Sequence, residues 1–231
     1  MKKSSKAAVL IFGQPGAGKG TQAELLAKRM GFVHFDTGRY FEQIVFDPRL
    51  QKDSVIKEQR RLFETGKLWT PSWVLSQITE KVKDFSRAGL SIVFSGSPRT
   101  LYEAFGDKKK LGLMKILEKL YGKKNVSLFF LKVSADTSIR RNSHRLICSV
   151  CKGILLNIKP TPKICPFCGG KLLKRVLDKP EIIKKRLEEF KKLTEPVFSA
   201  MKRRGYKIIE VDGNALPFKI NKRINDSIKN R

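Results

Sequence analysis

The chain has 231 residues, 41% of them hydrophobic, which is enough for one large globular domain or for a domain that carries an insert. No apolar stretch is long enough to cross a bilayer and the basic N-terminus lacks a signal-peptide pattern, so we expect a cytoplasmic protein without a membrane partner. A formal net charge of +28 favours phosphate-bearing ligands and also non-specific contact with nucleic acid, although no RNA-recognition signature is present. No dedicated association element is visible, so we expect a monomer.

A glycine-rich loop follows the first strand-like run. Residues 8–12 are apolar and predict a buried strand, and residues 22–29 after the loop predict a helix. This order is the context of a P-loop, in which backbone N–H groups and the helix N-terminus bind phosphate while a lysine, here Lys19, reaches the outer phosphates of a nucleotide. Gly20 stands at the usual Ser/Thr position, and the hydroxyl is on Thr21 instead. The predicted ATP-binding residues of this loop are Gly16, Ala17, Gly18, Lys19, Gly20 and Thr21.

Strand-like and helix-like segments alternate along the rest of the chain. The predicted strands are residues 32–35, 91–95, 126–133 and 207–211. The predicted helical segments are residues 50–65, 72–88, 102–121 and a C-terminal helix, and residues 36–38 predict a turn. Such alternation is typical of an α/β fold with a parallel sheet that is covered on both faces. Between residues 145 and 178 the pattern breaks, which indicates a small inserted subdomain.

All four cysteines lie in that insert. Their spacing is C-x2-C-x13-C-x2-C, and the four are Cys148, Cys151, Cys165 and Cys168. Four thiolates can surround Zn²⁺ tetrahedrally and leave no position open for water, so the pattern predicts structural rather than catalytic zinc. Disulfides and free buried thiols are the alternatives, and a cytoplasmic compartment disfavours disulfides. His34 and His144 lie outside the two cysteine pairs, and we do not expect them to be ligands.

Several further motifs resemble, in the same order, those of the adenylate kinases in the nucleoside monophosphate kinase family. Residues 13–21 match the family's GxPGxGKGT, residues 36–38 resemble its S-T-G, residues 66–70 its G-K-L-V-T and residues 95–100 its D-G-F-P-R-T. Residues 145–151 resemble the entry to a zinc-bearing lid, and residues 175–178 and 185–187 resemble its exit and the helix after it. The resemblance covers nearly the whole chain.

The resemblance implies a P-loop NTPase three-layer fold with a central parallel sheet. Residues 1–144 and 179–231 would form the CORE domain, residues 37–74 a helical monophosphate-binding arm and residues 145–178 a mobile LID. It also implies a reversible transfer of the γ-phosphoryl group of Mg²⁺-ATP to AMP, giving two ADP. Such transfer mainly needs alignment and neutralisation of charge.

The site residues follow from the same resemblance. The implied catalytic residues are Lys19, Arg99, Arg145, Arg175 and Arg186. Arg141 would stack on the donor adenine, and Arg145 would also contact ATP. The implied monophosphate-binding residues are Thr37, Gly38, Arg39, Trp69, Gly96, Arg99 and Glu103. Arginine suits phosphate because it offers a planar fork of donors and keeps its charge, although some of these arginines could be surface charge in so basic a chain.

Departures from the family pattern concentrate at the acceptor and magnesium sites. Ser95 replaces the aspartate that helps to hold the waters around Mg²⁺, and Leu177 replaces one lid aspartate. Glu42 replaces an arginine that binds the monophosphate, a loss that Arg39 is expected to offset. Glu103 stands where a glutamine reads adenine. An ionised carboxylate only accepts hydrogen bonds and so suits the two adjacent donors of guanine, unless Glu103 points into solvent.

The leading prediction is therefore an adenylate kinase-like phosphotransferase with Mg²⁺ and structural Zn²⁺ as cofactors. A kinase for another monophosphate, GMP first, is the alternative within the same class. A catalytically weak nucleotide-binding or RNA-associated protein is the alternative from a different class, which Ser95, Glu42 and the high charge favour and Lys19 with the lid arginines disfavours. A zinc-ribbon interaction module would leave the P-loop without a role.

Overall fold

The computed structural model describes residues 6–156 and 160–229. Its eight strands within these residues are β1 (Ala8–Phe12), β2 (Val33–Asp36), β3 (Ile92–Ser95), β4 (Val126–Lys132), β5 (Arg145–Cys148), β6 (Ile154–Leu156), β7 (Leu172–Leu173) and β8 (Ile208–Asp212). The α-helices of the same residues are α1 (Lys19–Met30), α2 (Thr37–Val45), α3 (Ser54–Glu64), α4 (Pro71–Arg87), α5 (Leu101–Phe105), α6 (Leu113–Tyr121), α7 (Ala135–Ser143), α8 (Pro180–Glu189), α9 (Glu195–Arg203) and α10 (Pro217–Lys229). None of these helices combines the length and the apolar character that crossing a bilayer requires.

A five-stranded parallel sheet in the order β2-β3-β1-β4-β8 forms the centre of the molecule. Alternate residues of its strands enter two separate apolar clusters. Leu10 and Phe94 pack with α4 and α6 on one face, and Val9 and Val93 pack with α1 and α10 on the other. The predicted α/β fold, with a parallel sheet covered on both faces, is confirmed.

The predicted turn at residues 36–38 is wrong. Asp36 ends β2 and its side chain accepts a hydrogen bond from the backbone N–H of Arg39, so it is the N-cap of α2. Thr37 and Gly38 are therefore the first residues of a helix. An aspartate at the N-cap satisfies a backbone donor that the helix leaves free, and this outweighs the turn preference of the Asp-Thr-Gly run.

The predicted helix over residues 102–121 is interrupted. It is divided into α5 and α6 by a loop that begins at Gly106, whose φ is 71°. Asp107 accepts hydrogen bonds from the backbone N–H groups of Lys109 and Lys110, which fixes a tight turn there. A left-handed glycine followed by an aspartate turn ends the first helix in spite of the helical spacing of its apolar residues.

The insert forms a small antiparallel sheet of its own in the order β6-β5-β7. It lies between α7 and a short 3-10 helix, Val176–Asp178, which leads into α8. Some residues of the predicted domains lie outside the described residues. They are residues 157–159 of the LID and residues 1–5 and 230–231 of the CORE. After α8 the chain passes through a π-helical segment, Phe190–Thr194, directly into α9.

Candidate functional site

A cavity of about 830 Å³ opens at the carboxyl end of the parallel strands. It lies between the glycine loop, the segment of α2 and α3, the insert and α8. Ligands of open α/β sheets bind at this edge of the sheet. The predicted nucleotide-site residues that line it are Gly16, Gly18, Lys19, Gly20, Thr21, Gly38, Arg39, Trp69, Gly96, Arg99, Arg141, Arg145, Arg175 and Arg186.

The glycine loop has the backbone conformation that phosphate binding requires. Gly16 and Gly18 have φ values of 82° and 90°, in the left-handed region that a side chain disfavours. A Cβ at Gly16 would lie 2.7 Å from the Asn142 amide nitrogen, because the loop packs against α7. The Lys19 ammonium is held inside the loop, where its Nζ donates to the carbonyl oxygens of Gly13 at 2.7 Å and Gln14 at 3.0 Å.

Half-buried cations converge on this loop. Burial lowers the pKa of Lys19 well below its usual value, and the nearby Arg99, Arg186 and Arg145 lower it further. Burial, together with Arg99, Arg175 and Arg145, also lowers the pKa of Arg186 to about 9. Positive groups that lie close together and partly out of water repel one another, and an anion that binds between them removes this repulsion. The cavity is therefore positively charged and suits a ligand that carries several negative charges.

Carboxylates pair with two of the arginines. Arg145 makes a bidentate contact with Asp178, with its Nε 2.9 Å from Oδ2 and its Nη2 2.5 Å from Oδ1. Arg175 Nη2 lies 2.7 Å from Oε2 of Glu42 on α2. The first pair joins the two ends of the insert, and the second connects the insert to α2. Both occupy guanidinium donors that a phosphate would otherwise use.

The end of β3 carries the acceptor-side residues. The Arg99 Nε donates to the carbonyl oxygen of Gly96 at 2.5 Å, which fixes the guanidinium beside the loop after β3. Ser95 Oγ is hydrogen-bonded to His34 Nε2 at 2.8 Å. Burial lowers the pKa of His34, so the imidazole is neutral at pH 7. On the other side of the cavity Trp69 stacks on Phe63, with their ring planes 13° apart.

The structure does not bring three of the predicted residues to the cavity wall. Ala17 is buried in the core beside α1, and its N–H donates to the Gln14 carbonyl rather than into the cavity. Thr37 is buried, and its hydroxyl contacts the Ser95 carbonyl oxygen and the Ser97 hydroxyl.

Glu103 is the third of these residues. It is 2% exposed, so the alternative that it points into solvent is wrong. Its carboxylate accepts from the backbone N–H of Arg99 at 2.9 Å and from the Thr100 hydroxyl at 3.2 Å. Burial raises the pKa of Glu103 to about 7. Because its acceptors are used within the start of α5, the geometry gives no support to a guanine-reading role.

The four cysteines of the insert meet at one point. Their Sγ atoms all lie within 4.8 Å of one another, with Cys148 and Cys168 3.4 Å apart and Cys151 and Cys165 3.7 Å apart. Four sulfurs at about 2.3 Å from a tetrahedral Zn²⁺ are about 3.8 Å from each other, so the cluster has dimensions that fit this ion. None of the four forms a disulfide. The cluster could hold a metal ion.

Comparison with known proteins decides the family. The sequence model of the family described as adenylate kinase matches residues 11–206. The chain belongs to the adenylate kinase family. It is 32% identical over 209 residues to an adenylate kinase of Petrotoga mobilis, which covers 89% of each chain. It is 31% identical over 211 residues to an adenylate kinase of Mycoplasma capricolum, which covers 90% of this chain and 92% of the relative. An adenylate kinase of Chlamydia trachomatis serovar D is 29% identical over 233 residues, covering 95% and 89%.

The chain is thus a phosphotransferase of the adenylate kinase family, and its cavity contains residues that the sequence did not single out. Asp36 lines the wall next to Ser95, and Phe46 and Phe63 line the side formed by α2 and α3. Nothing in the sequence marks the two aromatic residues beyond their amphipathic spacing. Asp36 is marked, because it replaces the serine of the family's S-T-G motif. The consequence of that replacement depends on Ser95, its neighbour in the sheet.

Proposed function

We propose that this chain catalyses the reversible transfer of the ATP γ-phosphoryl group to AMP, giving two ADP. The observation that carries the proposal is the convergence of Lys19, Arg99 and Arg186, all half-buried, on one cavity beside the glycine loop. Phosphoryl transfer has a transition state whose charge is spread over the phosphoryl oxygens, so preorganised cations that are shielded from water are its main source of stabilisation.

On the donor side the glycine loop binds the ATP phosphates. The backbone N–H groups of Gly16 and of residues 18–21, at the N-terminus of α1, cradle the phosphate oxygens, and Lys19 contacts the β and γ oxygens. When Lys19 Nζ exchanges the Gly13 and Gln14 carbonyl oxygens for phosphate oxygens, the negative charge offsets the electrostatic cost of burying this ammonium. Arg141, which reaches the Gly16 carbonyl from α7, covers the donor adenine by stacking.

On the acceptor side Arg99 binds the phosphate of AMP. Its guanidinium is fixed by Gly96 and faces the cavity, while Arg39 and Gly38 at the start of α2 approach from the arm. Trp69, buried against Phe63 and Phe41, forms the apolar wall for the adenine. Arg145, Arg175 and Arg186 complete the ring of cations around the transferred group.

The roles of the sequence segments follow from this assignment. Residues 1–144 and 179–231 act as the CORE, residues 37–74 as the arm that binds AMP and residues 145–178 as a LID that closes over ATP and excludes water. The proposed LID role is supported by Arg145 and Arg175, which lie at the two ends of the insert, so the position of the insert sets the positions of both arginines.

Two metal ions are part of the proposal. Mg²⁺, when bound with ATP, would supply charge neutralisation at the triphosphate. The wall there offers oxygen donors on Thr21, Ser95 and Asp36, which is the donor chemistry that Mg²⁺ prefers. The four thiolates of the insert hold Zn²⁺, which stabilises a subdomain that has little apolar core.

The test is an ATP-dependent phosphoryl-transfer assay with AMP, GMP, CMP, UMP and dTMP as acceptors and Lys19→Ala as the inactive control. ADP formation with AMP at a rate at least 100-fold above that of the control supports the proposal. Preference for GMP would overturn the choice of acceptor. Tight ATP binding without transfer to any acceptor would overturn the enzymatic function and favour a nucleotide-binding protein.

A further inference from the structure

Two adjacent strand ends exchange a serine and an aspartate relative to the family pattern. The family resemblance implies serine at the end of β2 and aspartate at the end of β3, whereas this chain has Asp36 and Ser95. The two are direct partners in the register of β2 and β3. Adjacent strands lie about 4.8 Å apart, so a carboxylate is displaced sideways by one strand and not lost.

The two residues also face the same side of the sheet. Partners in register share a face, and this face is the one that α1 covers, because Val93, two residues before Ser95, packs with Ala23 and Leu26 of α1. The hydrogen bond between His34 and Ser95 joins residues of this face across the two strands. Asp36 is therefore on the side of the sheet from which Lys19 and Thr21 enter the cavity.

The charges near Asp36 agree with this position. Burial lowers the pKa of Lys19 and of Arg99, and in both cases the Asp36 carboxylate acts against the lowering. One carboxylate oxygen of Asp36, Oδ1, caps α2, and Oδ2 accepts no hydrogen bond from the residues 6–156 and 160–229 that the structure describes. Asp36 is half-buried and lines the cavity, so Oδ2 is available to a ligand.

We propose that Asp36 takes over the task of the missing aspartate at position 95 and accepts hydrogen bonds from the waters around the Mg²⁺ that arrives with ATP. Asp36 is then a positioning residue, because it acts on the ion through water. Mg²⁺ loses its waters reluctantly and is commonly bound through them, so a carboxylate one strand away can serve it. This inference rests on the proposed function, since it concerns the metal that accompanies ATP.

The experiment measures metal affinity without turnover. Mn²⁺ binding to the full chain in the presence of β,γ-imido-ATP is followed by electron paramagnetic resonance, in the parent chain and in Asp36→Asn. Asparagine keeps the N-cap of α2 and removes the charge. We expect the Mn²⁺ affinity of the ternary complex to fall about tenfold or more, as for other residues that orient metal ligands, while ATP affinity measured with EDTA changes less than twofold.

Two further variants make the result specific. Asp53→Asn removes the charge from the N-cap of α3, which does not line the cavity, and should leave Mn²⁺ affinity unchanged. Ser95→Asp in the Asp36→Asn background returns the carboxylate to β3 and should restore most of the affinity. Unchanged Mn²⁺ affinity in Asp36→Asn, or a loss that Ser95→Asp does not repair, would overturn the inference. A parent chain that binds Mn²⁺ through Asp36 but transfers no phosphoryl group would overturn the proposed function alone.

Discussion

Arg175 Nη2 and Glu42 Oε2 lie 2.7 Å apart and join the exit of the insert to helix α2. In the family pattern the position of Glu42 belongs to an arginine that binds the acceptor phosphate, so an anion stands in place of a cation in the acceptor site that we propose. The carboxylate neutralises Arg175. In the proposed reaction an acceptor phosphate competes with Glu42 for the same guanidinium.

We therefore expect Glu42→Gln to lower the KM for AMP. A partly exposed ion pair contributes about 0.2–1 kcal/mol, which corresponds to a decrease of up to about fivefold in KM, with a smaller change in kcat. Steady-state kinetics with varied AMP measure it. Glu64→Gln, which removes an exposed carboxylate of α3 that is paired with Arg60, is the matched control and should leave KM unchanged. A KM that rises in Glu42→Gln would mean that Glu42 supports acceptor binding.

The buried Glu103 carboxylate makes stability depend on pH. Burial raises its folded-state pKa from 4.5 to about 7, so the folded state binds the proton more tightly than the unfolded state does. Burial of Glu103 therefore costs the folded state least below pH 4.5, where the carboxyl is protonated in the folded and the unfolded state. As the pH rises to 7, the free energy of unfolding falls by about 3 kcal/mol in total. Replacement of Glu103 by Gln should remove this dependence.

Urea denaturation at pH 5 and pH 8 checks the prediction for Glu103→Gln. The variant should gain most stability relative to the parent at pH 8 and little at pH 5, because only the ionised carboxylate is penalised by burial. Glu118→Gln on α6 is a control whose carboxylate contacts exposed Lys115. Equal effects at both pH values would show that the gain, if any, comes from packing and not from ionisation.

Lys19 should act against stability in the absence of nucleotide. Burial and three neighbouring arginines lower its pKa, so removing the charge relieves repulsion. We expect Lys19→Met to raise the Tm of the ligand-free protein by about 2–4 °C, the shift that about 1 kcal/mol gives in a chain of this size, and to slow phosphoryl transfer at least 100-fold. Calorimetry and the coupled assay measure the two effects. Lys28→Met on the exposed face of α1 should change neither.

The cysteine cluster predicts about one zinc per chain. Metal analysis should find it in the parent and find far less in Cys165→Ser, while Ser149→Ala between the first two cysteines should keep it. Loss of the metal should lower the Tm through the insert and leave ATP binding by the glycine loop in place. Full zinc content in Cys165→Ser would contradict the four-thiolate site.

Local patterns were sufficient for the parts of this protein that depend on neighbours in sequence. The glycine spacing of residues 13–21 predicted the loop around Lys19, and the apolar runs predicted the strands of the parallel sheet, because backbone conformation and burial follow residue type at short range. The paired cysteines likewise predicted a cluster that the insert does assemble. The N-cap role of Asp36 and the break at Gly106 were missed because periodicity does not register single hydrogen-bonded turns.

The sequence by itself determined the fold class, the family and the set of cations available to a phosphate. Only the tertiary structure decided which side chains meet. It places the Glu103 carboxylate in hydrogen bonds at the start of α5 and pairs Glu42 with Arg175. It also places Asp36 beside Ser95 on the face of the sheet that α1 covers. These contacts join residues that are far apart in the chain or depend on the register of two strands. Long-range packing fixes such partners, and the identity of a residue does not specify them.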